Sequence, residues 1–456
     1  MMKYVSTRGK SPAVGFADAF AQGLAPDGGL YVPESLPFLP SDLILEDTPM
    51  PYPALAWDFL NLFDEDHDSE ERIALIDESY GNFSEEMTAP LSQLSENLFL
   101  LELFHGPTLA FKDFGLQLVG NLFEHQIRDT GETINVLGAT SGDTGSAAIH
   151  GLAGKKGVNV FILYPKGRIS TLQERQMTCT GAKNIFPIPI EGSFDDCQRI
   201  VKELMSDLEY KKRLRLSAVN SINLARILAQ SIYYVHAFMQ LPPDQRAGVN
   251  FVVPTGNFGN VFAGWLAYRM GLPVERFVVA TNQNDLLYRL FETGVYEPGE
   301  VSSSFAPSMD IQMASNFERF LYYHCGEDGK QTAKLMGKIA KPGAKLKIPD
   351  FDAGVFAATH CADAEILANI RRVKEEYDYV VDPHTACGFQ AIDPGKTTIV
   401  LGTAHPAKFP DVIKKAIGET PTHPILDALK GKRQVRYEVE APTAEAVRNF
   451  VEYNAA

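Results

Sequence analysis

The chain has 456 residues, 45% of them hydrophobic and 22% charged. That is enough to bury the cores of two or three domains, and too apolar for a disordered chain. The formal net charge of −15, with no long run of Lys or Arg, argues against nucleic acid or an anionic membrane as the main partner. A small anion stays compatible, because a few local cations and backbone dipoles outweigh a distant negative surface. The five cysteines show no C-x-x-C spacing and an odd count, which fits reduced thiols in a cytosolic protein. His384-x-x-Cys387 and His360-Cys361 could each be half of a metal site, but no matching second pair follows, so no metal is expected. The N-terminus lacks the apolar stretch of a signal peptide, and no window approaches the ~18 apolar residues of a membrane helix. The chain is expected to be soluble and cytoplasmic.

In chain order, residues 1 to about 95 read as a mixed segment: PDGGLYVPESLPFLP is punctuated by Pro and Gly, and the stretch from Trp57 to Gly81 is largely helical. From Phe99 the pattern alternates between strand and helix. After Lys112, Phe114, Leu118 and Leu122, with Val119 and Phe123, fall at helical spacing, and Gly131 closes the run. Ile134–Leu137 reads as a strand, Gly138 to Gly145 as a loop, Ser146 to Leu152 as a helix, and Val158–Leu163 as a strand. Asn184–Ile190 is a further strand, and Ser193 is placed to cap one long helix through Lys211. Later, Phe251–Val253 leads into the loop Pro254–Asn260, a helix through Arg269 and the strand Phe277–Ala280. Thr397–Leu401 is one more buried strand. This alternation implies an α/β protein with parallel sheets covered by helices.

Two loops at strand-to-helix junctions are rich in Gly, Ser, Thr and Asn: Ala139–Ser146 and Pro254–Asn260. Such a junction turns free N–H groups and a positive helix end toward one spot, which suits phosphate or carboxylate. The plainer reading of each is backbone geometry alone, since Gly often serves a tight turn. Neither loop fits G-x-x-x-x-G-K-[ST], so a nucleotide-hydrolysing P-loop is disfavoured. The third element is HGPTLAFKD, residues 105 to 113. Lys112 could be an ordinary solvated lysine at a helix start. Against that, a cation in the first turn opposes the helix dipole, and Leu109, Ala110 and Phe111 run directly into it. A lysine held among apolar groups loses solvation and becomes a usable amine nucleophile. An amine beside two anion cradles suggests an aldehyde cofactor carrying a phosphate, which describes pyridoxal phosphate (PLP).

YVSTRG, APDGGLYVPE, HGPTLAFKDFG, LGATSGDTGSAA, VNSINLARI, PTGNFGN, SMDIQMASNFERF and LGTAHPAKF together span nearly the whole length. On these motifs the chain resembles the threonine synthases of the microbial and fungal type, within the tryptophan-synthase-β-like (fold type II) PLP enzymes. The resemblance implies two intertwined parallel-sheet subdomains: an N-terminal segment over 1–95, then a catalytic region over 96–456 whose smaller part is roughly 106–220. It implies that Lys112 binds PLP through a Schiff base and moves protons, and that Gly256, Asn257, Phe258, Gly259 and Asn260 cradle the cofactor phosphate. Thr403 resembles the hydroxyl that meets the pyridine nitrogen, a neutral partner that leaves that nitrogen largely unprotonated.

Ser141, Gly142, Asp143 and Thr144 match the loop that faces a substrate carboxylate. Many relatives carry Asn where this chain has Asp143, and a negative charge there is unfavourable, so Asp143 is expected to accept backbone N–H bonds that shape the loop. Asn220, Ser221 and Arg226 match a substrate-phosphate site. Their plain reading is a capped helix N-terminus with an exposed Arg, and the two readings are compatible, since N–H groups that need caps also bind phosphate. For the 308–316 stretch there is no independent chemical argument. The implied activity is conversion of O-phosphohomoserine and water to threonine and phosphate, by γ-elimination and β-addition, in a cytoplasmic monomer. A serine/threonine dehydratase or a β-replacement enzyme shares the lysine and the glycine loops but needs no second phosphate site. A catalytically silent PLP-fold protein would not need Lys112.

Overall fold

The computed structural model describes residues 2–45, 48–218 and 221–455. Among the described residues the larger sheet has six strands, in the order Phe356–His360, Val274–Thr281, Val249–Pro254, Thr398–Gly402, Leu98–Glu102 and Leu91–Ser95. Its pairings are parallel except at the outer strand Leu91–Ser95. The smaller sheet is wholly parallel, in the order Ile185–Ile190, Val158–Pro165, Ile134–Ala139 and Leu216–Ser217. Every residue of Val249–Pro254 and of Ile185–Ile190 is buried. Helices cover both faces of such a sheet, so its strands read as continuous apolar runs rather than alternating ones.

The chain enters the larger sheet at Leu91, leaves after Glu102 to build the smaller one, and returns at Val249. The last helix, Ala444–Asn454, goes back to the smaller sheet and buries Val447 and Val451 in the cluster that holds Phe161 and Phe186. The two sheets are therefore intertwined, as fold type II requires. No helix among the described residues is long and apolar enough to cross a membrane.

Local chemistry accounts for the element limits. The helix Lys112–Thr130 ends where Gly131 takes a left-handed conformation (φ 68°) and returns its N–H to the Ile127 carbonyl. The run after Ser193 is two helices, Phe194–Ser206 and Leu208–Arg213, not one. Asp207 breaks it: its backbone is extended and its carboxylate accepts from the Tyr210 N–H, because Asp gains more as a cap than inside a helix. The helix expected from Ser146 begins at Asp143, because Gly142 (φ 138°) makes the turn within one residue.

The helices Lys112–Thr130 and Asp143–Leu152 meet backbone to backbone. A Cβ at Gly120 would lie 2.1 Å from the Gly151 carbonyl oxygen, and one at Gly151 would lie 2.4 Å from that of Leu116. Helix propensity favours Ala over Gly by about 1 kcal/mol, but overpacking costs about 1–3 kcal/mol and wins here. Gly120→Ala is expected to lower stability in urea unfolding by roughly that net amount. A more stable variant would mean that the helices are free to separate.

Candidate active site

Lys112 is the first residue of its helix, and the loop before it is held at both ends. Leu109 adopts φ 60°, unusual for a residue with a side chain, and is buried. The Asp113 carboxylate accepts from the Thr108 N–H at 2.8 Å and from its hydroxyl at 2.6 Å. Burial pushes the Asp113 carboxyl up to about 6, although the Thr108 hydrogen bonds oppose it. Phe111 N–H donates to the Thr403 carbonyl and His405 N–H to that of Leu109, which tie the loop to the end of the strand Thr398–Gly402. Lys112 Nζ lies 3.2 Å from Asp143 Oδ2 and donates to Ser308 Oγ at 3.3 Å. Burial lowers its pKa from the ordinary 10.5. Asp143 opposes that shift, while Lys408 and Arg226 reinforce it.

Asp143 does not shape its loop through backbone bonds, contrary to expectation. That work falls to Thr140, whose hydroxyl accepts from the N–H groups of Gly142 and Gly145 at 3.0 and 2.8 Å. The buried Asp143 carboxylate instead faces side chains: Lys408 Nζ at 2.8 Å, Lys112, Gln173 Nε2 at 3.0 Å and Ser308 Oγ at 3.1 Å. A buried carboxylate seeks counter-charge, and two ammonium groups lie within reach. Burial alone would raise its pKa, but Lys408 and Lys112 together hold it well below the usual range. Ser141 and Thr144, on either side, are half-buried.

The second loop turns from Pro254 into the helix Gly259–Arg269. Phe258 takes φ 64° and sends its ring into a cluster with Phe291, Phe317, Phe320 and Phe356, so it offers the loop only its backbone. A Cβ on Gly256 would come within 3.0 Å of Ile311 and 3.1 Å of the Ser308 carbonyl. Asn260 Oδ1 accepts from Tyr233 at 2.5 Å and Tyr234 at 2.9 Å, while its buried Nδ2 has no partner among the described residues. The Asn257 carbonyl accepts from the Asn316 N–H at 3.0 Å, and Asn316 Nδ2 also donates to the Ser221 carbonyl at 2.9 Å. Asn316 thus joins the loop to the segment carrying Ser221. Asn220 lies outside the described residues.

Arg226 stands in the first turn of the helix Leu224–Gln240, which Asn223 caps by accepting from Ala225 N–H. The expected cap is present, but the Arg is not exposed: only 3% of it reaches solvent. Its Nε and Nη1 are buried with no hydrogen-bond partner among the described residues. Burial lowers its pKa to about 10.

Thr403 is buried, its N–H donating to Thr385 Oγ1 at 3.0 Å. Thr385 in turn donates to Asp382, whose other oxygen lies 2.8 Å from His384 Nδ1. His384 Nε2 accepts from the Ser308 N–H at 3.1 Å, so Nδ1 carries the ring proton. A hydrogen-bonded path therefore runs from Thr403 to Ser308 beside Lys112. Sequence reasoning did not single out Lys408, Ser308, Gln173, Asn316, Asp113 or His384 as site residues. For Ser308, Asn316 and Lys408 the available signal was their place in the resemblance motifs.

A buried amine of lowered basicity, a glycine-bearing loop at a helix start and an unpartnered buried donor on Asn260 fit an aldehyde cofactor carrying a phosphate. The family described as pyridoxal-phosphate dependent enzyme matches residues 86–401. Those described as threonine synthase N terminus and threonine synthase, C-terminal match 3–80 and 385–451. A threonine synthase from Pseudomonas aeruginosa is 44% identical over 99% of this chain and 98% of its own. The chain belongs to the threonine synthase family. The PLP-bound threonine synthase from Brucella melitensis superposes with a TM-score of 0.95 at 41% identity, over 100% of both chains. The yeast threonine synthase gives 0.90 at 37%, over 99% of this chain and 98% of that one. PLP is the cofactor of this fold.

Asp143→Asn would leave Lys112 and Lys408 without their shared counter-ion. Breaking a buried pair in this way costs roughly 3–5 kcal/mol, so the variant is expected to unfold at markedly lower urea at pH 7. The Asp143 pKa is depressed, so its stabilisation is present above the unfolded value of 3.8 and is lost as pH falls below it. The gap between the two proteins should accordingly hold from pH 7 to 5 and narrow only below about 4. A gap that closes by pH 6 would contradict an ionised Asp143.

Proposed function

We propose that the chain converts O-phosphohomoserine and water to threonine and phosphate, the last step of threonine biosynthesis, with PLP held on Lys112. The observation that carries this reading is the buried Arg226 guanidinium, two of whose nitrogens have no partner among the described residues. An uncompensated buried charge is costly, and a dianionic substrate group would supply the missing partner. A dehydratase or β-replacement enzyme has no use for it. The bound cofactor supplies an aldehyde that captures the substrate amine and a conjugated ring that spreads the charge left when a proton departs.

The chain's own residues do the rest. Lys112 would take the substrate α proton, and its lowered basicity keeps it competent as a base. The N–H groups and side chains of Ser141, Gly142 and Thr144 orient the substrate carboxylate, while Asp143 stays with its lysines. Backbone N–H groups of Gly256 to Asn260 and Asn260 Nδ2, which has no partner among the described residues, would hold the cofactor phosphate, with Asn316 fixing the loop. Thr403, anchored by Thr385, would offer a neutral hydroxyl to the cofactor's ring nitrogen. Arg226, in the first turn of the helix Leu224–Gln240, binds the departing phosphate, and the family resemblance adds Ser221 and Asn220 to that role. The division into 1–95 and 96–456 and a cytoplasmic monomer belong to the same proposal. Resemblance to the microbial type supports them, and sedimentation velocity tests the monomer.

Borohydride reduction followed by peptide mapping is expected to place a pyridoxyl group on Lys112. A label on another lysine would remove the basis of the site. Arg226→Ala should lose at least about tenfold in capture of O-phosphohomoserine, since a charged hydrogen bond is worth roughly 1.5–3 kcal/mol. Part of the loss should appear in kcat, because charge grows on the leaving phosphate. Arg226→Lys, which keeps the charge but not the planar fork, should fall between. Cofactor absorbance should be unchanged in both. Full activity in Arg226→Ala, or loss of its PLP, would favour the dehydratase reading.

A further inference from the structure

Lys408 is a second buried lysine in this site. It closes the 3-10 turn Pro406–Lys408 that follows the strand Thr398–Gly402, and only 1% of it reaches solvent. Its ammonium meets Asp143 Oδ1 at 2.8 Å and the Thr108 carbonyl at 2.7 Å. Thr108 belongs to the loop that delivers Lys112, so Lys408 touches both the counter-ion of Lys112 and the backbone leading to it.

We propose that Lys408 is a positioning residue for Lys112: it serves as the standing counter-ion of Asp143, so that Lys112 can be neutral without leaving a buried carboxylate unpaired. The charges around Lys112 support this. With Lys112 protonated, two ammonium groups share one carboxylate, and the buried Arg226 adds a third cation from the helix Leu224–Gln240. With Lys112 neutral, Lys408 and Asp143 balance each other. The neighbouring Asp113 is engaged by Thr108, and His384 by Asp382 and the Ser308 N–H, so neither takes over the pairing. Burial and repulsion from Lys408 and Arg226 act on Lys112 in the same direction, lowering its basicity. Remove the Lys408 charge, and Asp143 has Lys112 as its one close ammonium, which would hold it protonated and unable to accept the substrate proton.

The proposal rests on Lys112 being the cofactor lysine, which the borohydride map tests separately. The holoenzyme of Lys408→Met keeps the aliphatic stem and loses the charge. Two readouts apply: the acid limb of the kcat–pH profile, and the pH midpoint of the cofactor absorbance in the resting enzyme. Both are expected to move upward by about one pH unit or more, the size of shift that a charge within a few ångströms produces. KM should change much less than kcat. Lys408→Arg, which restores a cation, should bring both midpoints back toward wild type. So should Lys408→Met combined with Asp143→Asn, which removes both charges at once. Unmoved midpoints in Lys408→Met, or a double variant as displaced as the single one, would overturn the proposal and leave Lys408 a structural clamp on Thr108. If Lys408→Met does not fold, Asp143→Asn alone is compared with the double variant. The Lys408 charge, then unopposed, should set the midpoint of Asp143→Asn below that of the double variant, and equal midpoints would again overturn the proposal.

Discussion

Between the two sheets, Asp143 sets one carboxylate against two ammonium groups, Lys408 at 2.8 Å and Lys112 at 3.2 Å. Each member comes from a different part of the fold. Asp143 opens the helix after the smaller sheet's strand Ile134–Ala139, Lys112 opens the helix after Glu102, and Lys408 follows the larger sheet's strand Thr398–Gly402. The contact therefore exists only when both sheets are assembled, and it puts the reactive amine where parallel strands end and ligands bind. Ser308 and Gln173 satisfy the remaining lone pairs of Asp143, which a buried charge requires.

A second constraint lies on the far side of Lys112. Arg226 is buried with no counter-ion among the described residues, and its Cα and Cβ pack against the Lys112 helix at Gly115, where a Cβ would come within 3.1–3.2 Å of them. That close approach fixes the guanidinium relative to the amine. Asn316 and Arg319 secure the same region. Asn316 bonds the Asn257 and Ser221 carbonyls, and the fully buried Arg319 bonds the Ile222 carbonyl at 2.6 Å and that of Tyr31 at 3.0 Å. The stretch 308–316, opaque as chemistry in the sequence, is thus a brace: Ser308 reaches Lys112 while Asn316 joins the loop Pro254–Asn260 to the segment carrying Ser221.

The sequence made the alternating elements legible because parallel strands buried on both faces must be continuous apolar runs, and Phe251–Val253 and Val160–Leu163 are such runs. The helix from Lys112 was legible from its spacing and from Gly131. Helix breaks were less so: Asp207 can sit inside a helix or cap one, and only the packing decides. The electrostatic partners were hidden for a related reason. Lys408 lies 265 positions from Asp143 in the chain, so no spacing pattern ties the two together. Asp143 was misread because the local alternative, capping its own loop, is the usual role of an Asp before a helix. Thr140 had already filled that role.

Nitrogen-15 NMR of the full chain with labelled lysine, freed of cofactor, would follow the Lys112 Nζ directly through a pH titration, with Lys112→Ala to assign the signal. If Asp143 is chiefly neutralised by Lys408, Lys112 should titrate clearly below the ordinary 10.5, as its burial and cationic neighbours require. A midpoint at or above 10.5 would mean that Asp143 binds Lys112 as its principal cation, and would contradict the charge arrangement on which this account of the site rests.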